Sequence, residues 1–160
     1  MHSLELKESQ DIKDLAGMAR THGGLGRLAY FSSPRESESA KKHFAEDLKI
    51  SIEINDQRGI SQMNSFLSQL DLAEKDTTSA LTRSINILTI NNNPFDVGMA
   101  IEVMYKAIGL DLPDSFSDRD QHPMKTSPVE HVNLILEAAI NSPDLLSLDT
   151  VKTLKEYLEQ

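Results

Sequence analysis

The sequence predicts a mainly α protein, a bundle of about six or seven short helices. Two observations predict it. The first is a repeated helix-start device. Ser33-Pro34-Arg35-Glu36 offers a capping hydroxyl, a proline with no N–H to leave unpaired, and a glutamate that reaches back to the cap. Ser127-Pro128-Val129-Glu130 repeats it, Asn93-Pro94-Phe95-Asp96 is a close variant, and Ser142-Pro143-Asp144 is a shorter one. The second is the spacing of the apolar residues, which recur every three or four positions over most of the chain.

Taken in order, Ile12, Leu15, Ala16 and Ala19 make a short apolar face that is expected to end at Gly23-Gly24, with Leu25, Leu28 and Phe31 forming a further turn. Phe44 and Leu48 share a stripe after Pro34. Ile60, Met63, Phe66, Leu67 and Leu70 form a clear helical face, followed by Leu81, Ile85 and Leu88. Val97, Ala100, Ile101, Met104 and Ile108 form the cleanest face, closed by Gly109. Val132, Ile135, Leu136 and Ala139 come next, and Val151, Leu154 and Leu158 finish the chain.

One stretch departs from helix. Lys49-Ile50-Ser51-Ile52-Glu53-Ile54 alternates with period two, and Asn55-Asp56-Gln57-Arg58-Gly59 reads as a turn. Residues 49–59 are therefore read as a short strand or hairpin, or as a helix end. Residues 110–126 form the longest unpatterned segment and hold Asp111, Asp114, Asp118 and Asp120. The expected organisation is one helical domain over 1–160, with this acidic loop preceding a C-terminal helical hairpin.

Composition narrows the function classes. Cys is absent, so no disulfide, thiolate zinc site or cysteine nucleophile is available, which fits a reducing compartment. No apolar run approaches the length of a bilayer span, and the first residues lack a basic-then-apolar leader, so a cytoplasmic location is expected. The net charge is −9, about −1 over residues 1–59 and −8 over 60–160. Such a surface repels phosphate backbones and attracts basic partners.

Motifs for chemistry are few. Gly24, Gly26 and Ala29 match G-x-G-x-x-A, but no strand precedes them and no acidic residue follows a second strand, so they read as a helix cap and flexible turn. His43 and Asp47 stand one helical turn apart, without a third ligand in view. No nucleophile elbow, P-loop, metal motif or EF-hand spacing occurs, so no cofactor, metal or catalytic residue is assigned. The leading expectation is a non-enzymatic interaction module, of the adaptor, inhibitor, chaperone or immunity type, that binds a basic protein partner through Asp111, Asp114, Asp118 and Asp120.

A second expectation concerns residues 61–88. Their leucine spacing and the run Thr82-Arg83-Ser84-Ile85-Asn86 resemble the helix-turn-helix of bacterial and phage repressors. The resemblance implies a transcriptional regulator whose second helix enters the major groove, with Lys75, Thr77, Thr78 and Arg83 on the DNA. Asp71 in place of a turn glycine, and the negative charge around it, argue against this. A small enzyme with a site assembled from His22, Arg27 or His43 is the third reading.

Overall fold

The computed structural model describes residues 2–90, 93–112, 128–141 and 147–160. All seven of its helices fall in these ranges, and no strand occurs among the described residues. They are α1 (His2–Tyr30), α2 (Ser37–Glu53), α3 (Gln57–Ala73), α4 (Thr77–Ile90), α5 (Pro94–Ala107), α6 (Pro128–Asn141) and α7 (Leu148–Leu158). Packing divides the chain into two units, Met1–Phe66 and Leu67–Gln160.

In the first unit α1 packs along α2. The sequence reading ended a helix at Gly23-Gly24; the structure runs α1 unbroken through Gly23, Gly24 and Gly26 to Tyr30. The only glycine among the described residues with the left-handed backbone of a C-cap is Gly109, at φ 72°. Gly23 and Gly26 are instead places where α2 comes close. A Cβ on Gly26 would stand 2.6 Å from ring carbons of Phe44, and one on Gly23 would stand 2.5 Å from an Asp47 carboxylate oxygen. Tertiary packing thus overrides the low helix propensity of glycine. Fully buried Phe44 stacks on Phe66 at 4.6 Å between centroids, and Tyr30 meets Phe66 edge-on at 5.3 Å. Such aromatic pairs add about 0.5–1.5 kcal/mol each beyond the area they bury.

The helix cap predicted at Ser33 lies three residues too early. α2 begins at Ser37 with Glu36 in the capping position. The Glu36 N–H is already taken by the Ala29 carbonyl at 3.0 Å, closing the end of α1, while the Glu36 carbonyl accepts the N–H of Ala40 at 2.9 Å. The strand or hairpin read at 49–59 is the end of α2, a tight turn and the start of α3. Ile50 is buried and Ile52 is exposed, so the period-two alternation is one turn of helix in disguise.

That turn recurs twenty residues later in the second unit. Ile54 N–H to Ile50, Asn55 to Ile52 and Asp56 to Ser51 match Glu74 to Leu70, Lys75 to Leu72 and Asp76 to Asp71. Asn55 and Lys75 both hold positive φ, 57° and 60°. Asp56 and Asp76 then cap the next helix, accepting from Gly59 and Ser79. The second unit is built on α5, where Ile101 and Met104 are fully buried. α4 and α6 pack on α5, and α7 packs on α4 and α6. Burial of one such side chain contributes about 1.5–3 kcal/mol. The predicted cap at Asn93 is present, its side chain accepting from Phe95 N–H at 2.9 Å. α6 starts at Pro128 as expected, while Ser127 and the start read at Ser142 lie outside the described residues. No helix among the described residues is long and apolar enough to cross a membrane.

Candidate functional site

α1 is amphipathic in an inverted sense. Its packed face carries Ala16, Ala19, Gly23, Gly26 and Ala29, all small, and Ala19, Gly23, Gly26 and Ala29 are buried. Three of its large apolar residues point the other way, while Ile12, exposed, and Tyr30, packed on Phe44 and Phe66, lie on the packed side. Met18, Leu25 and Leu28 are 52%, 43% and 71% exposed. With Thr21 they fall at spacings of three and four, which places them on one stripe. Toward the N-terminus the same stripe continues as exposed Asp14 and Asp11. Phe31, 70% exposed, follows the helix end. The sequence reading missed this stripe because it broke the helix at Gly23-Gly24, which assigned Met18 and Leu28 to different elements. The readable signal was a run of small residues on the opposite face.

The other side of α1 opens a pocket of about 340 Å³ within the first unit. Its charged lining is Arg20 and Arg27 from α1, Asp47 from α2 and Asp56 from the α2–α3 turn, with Gln62 of α3 beside them. Gly23 and Gly59 supply the space. Asp47 is only 6% exposed, and one of its oxygens accepts the Ser51 hydroxyl at 2.9 Å. Burial pushes the Asp47 carboxyl above its ordinary value of 3.8, against the Ser51 hydrogen bond and the attraction of Arg27, and with Asp56 repulsion adding to the rise. Among the described residues neither Arg20 nor Arg27 forms an ion pair; the Arg27 guanidinium lies 5.9 Å from the centre of the Phe66 ring.

The residues of the third sequence reading meet in part. His22 and His43 bring their Nδ1 atoms to 3.1 Å, and Arg27 lines the pocket. No group of three or more His, Asp or Glu able to hold a metal exists among the described residues. In the second unit, His131 Nδ1 and the Tyr105 hydroxyl stand 2.9 Å apart and both residues are buried. Burial pushes the His131 ring below 6.5, opposed by Glu130, and pushes the Tyr105 phenol up.

Of the carboxylates predicted to bind a partner, Asp111 is exposed, and Asp114, Asp118 and Asp120 lie outside the described residues. The four residues predicted for DNA do not form one presented face. Arg83 donates to the buried carboxylate of Asp71 at 2.9 Å. The Thr77 hydroxyl donates to the Ala107 carbonyl at 3.3 Å. Lys75 sits in the left-handed turn and is exposed, as is Thr78. α4 buries Ala80, Leu81, Ser84, Ile85, Ile87 and Leu88. No known protein family, curated protein or solved structure matches the chain.

Proposed function

We propose that the chain is a non-enzymatic protein-interaction module and that the outer stripe of α1 is its docking face. The observation that carries the reading is the inversion of α1, with small residues inward and Met18, Leu25 and Leu28 outward. A helix that served only to cover α2 would gain by burying its leucines, about 1.5–3 kcal/mol each. Large apolar side chains lined up on one exposed stripe mark an interaction surface, whereas scattered ones need no explanation. Asp11 and Asp14 head the stripe, so it complements an amphipathic helix whose apolar face ends in Lys or Arg. The net charge of −9, with Asp111, Asp114, Asp118 and Asp120 in one segment, steers such a basic partner and speeds association at low salt.

The helix-turn-helix reading has weaker support. Arg83 is committed to Asp71, Thr77 to Ala107, and the remaining exposed cation of the four is Lys75. That leaves little to offset phosphate repulsion at net −9.

The test is affinity capture with mass spectrometry, run in parallel on the wild type, a Leu25→Glu/Leu28→Glu variant and a variant with all four loop aspartates changed to Asn. Both leucines are exposed, so the fold is expected to survive, as circular dichroism checks. The expected result is a basic protein retained by the wild type, lost by the leucine variant, and retained more weakly by the aspartate variant or at high salt. Retention by the leucine variant refutes the docking face; equal retention by the aspartate variant removes the loop from recognition.

A further inference from the structure

The pocket on the inner side of α1 has no part in the docking reading, and its chemistry is specific. It brings guanidinium groups and carboxylates to one small cavity without joining them in a salt bridge. Arg20 and Arg27 form no ion pair among the described residues. Asp47 is buried and held by Ser51, and Asp56 is held by the Gly59 N–H at 3.1 Å. Both carboxylates are therefore held in place by neutral donors, and Arg27 attracts Asp47 without closing a salt bridge on it.

The glycines keep this arrangement open. A methyl group at Gly23 would meet an Asp47 oxygen, and one at Gly59 would stand 2.6 Å from an Asp56 oxygen and 2.7 Å from the Ser51 hydroxyl. Any side chain at either position would push a carboxylate from its place. The volume of about 340 Å³ sits at the small end of ligand pockets.

A ligand carrying only negative charge would have to approach Asp47 and Asp56, and one carrying only positive charge would have to approach Arg20 and Arg27. We propose that the pocket binds a small zwitterion, its ammonium on Asp47 and Asp56 and its carboxylate or phosphate on Arg20 and Arg27. Gln62 supplies a neutral amide that serves either end. The buried position of Asp47 strengthens its attraction for an ammonium group relative to the same pair in water.

The experiment titrates the folded chain with γ-aminobutyrate and phosphoethanolamine, with inorganic phosphate and putrescine as single-charge probes. Amide NMR shifts at Gly23 and Gly59 report binding. The expected result is a saturable shift with at least one zwitterion, at least tenfold tighter than either single-charge probe. Asp47→Asn and Arg20→Gln are each expected to weaken it at least tenfold. Arg20 is exposed and forms no ion pair among the described residues, so its variant tests the site even if Asp47→Asn disturbs packing. Leu28→Glu, on the outer face, is expected to bind the zwitterion normally, which separates this site from the docking face. No saturable shift with either zwitterion, phosphate or putrescine binding as tightly, or unchanged binding by Arg20→Gln overturns the proposal.

Discussion

Gly24→Ala and Gly26→Ala, two residues apart in one helix, are expected to change stability in opposite directions. Both gain the same intrinsic helix propensity, about 0.8–1 kcal/mol in favour of Ala. At Gly24 a new Cβ meets nothing within 4 Å, so the gain is realised in full. At Gly26 the methyl would stand 2.6 Å from two ring carbons of Phe44, a full ångström inside ordinary contact. Phe44 cannot yield cheaply, because it is fully buried and stacked on Phe66. Overpacking of this kind costs about 1–3 kcal/mol. Because propensity cancels, the difference between the two variants isolates that steric cost, and it is expected to be about 2 kcal/mol. With a urea dependence of about 2 kcal/mol per molar, the two midpoints separate by roughly 1 M. The chain has no Trp, so helicity by circular dichroism is the signal of choice. Equal midpoints for the two variants would refute the α1–α2 contact, and a destabilised Gly24→Ala would refute the unbroken helix.

Two further perturbations probe the second unit. Arg83→Leu leaves the Asp71 carboxylate, 1% exposed, without its cation; Arg83 is itself 27% exposed, so the cost is placed below a fully buried pair, at about 1.5–3 kcal/mol. A double-mutant cycle with Asp71→Asn measures the coupling, and a value near zero would refute a stabilising Arg83–Asp71 pair. His131 is buried in the folded chain, which lowers its proton affinity, while the unfolded chain takes up a proton near the ordinary 6.5. The unfolded state thus binds more protons between the folded value and 6.5, so stability is complete above that pH and declines as pH falls below it. His131→Gln is expected to flatten this part of the urea-midpoint profile, and an unchanged profile would place the acid sensitivity elsewhere. Asp47 acts with the opposite sign, since its raised value makes the folded state gain protons above 3.8, and an Asp47→Asn background removes that contribution.

The parts of the fold that were legible are those whose signals are local. Asn93-Pro94 and Gly109 need only their neighbours to act as caps, and both act as read. The face Val97, Ala100, Ile101, Met104 is a core face because α5 is surrounded, and periodicity alone says so. The misread parts depend on partners distant in sequence. Gly23 and Gly26 look like a helix end until Phe44 and Asp47 are seen against them. Ser33 looks like a cap until the Ala29 carbonyl claims the Glu36 N–H. The Ile50-Ile52-Ile54 alternation is the same in a strand as in a helix end with one exposed isoleucine. The pocket was the least legible: Arg20, Asp56 and Gln62 carry no motif, and Asp47 stood out only through its spacing from His43.

Gly17 and Gly24 complete the case for α1 as a docking element. Inside a helix each costs about 0.8–1 kcal/mol relative to Ala. Gly23 and Gly26 offset that cost by admitting α2, but Gly17 and Gly24 face open space. They are seven residues apart and lie one turn before Thr21 and Leu28, on the flank of the exposed stripe. Nothing in the first unit benefits from their lack of a side chain, whereas a partner helix seated on the stripe could bring its backbone close there. The double variant Gly17→Ala/Gly24→Ala is therefore expected to raise the stability of the free chain by about 1–2 kcal/mol while weakening capture of the partner. Urea midpoints read the first effect and retention of the captured protein the second. A chain that is stabilised yet retains its partner undiminished would place these glycines outside the interface and confine docking to Met18, Leu25 and Leu28 alone.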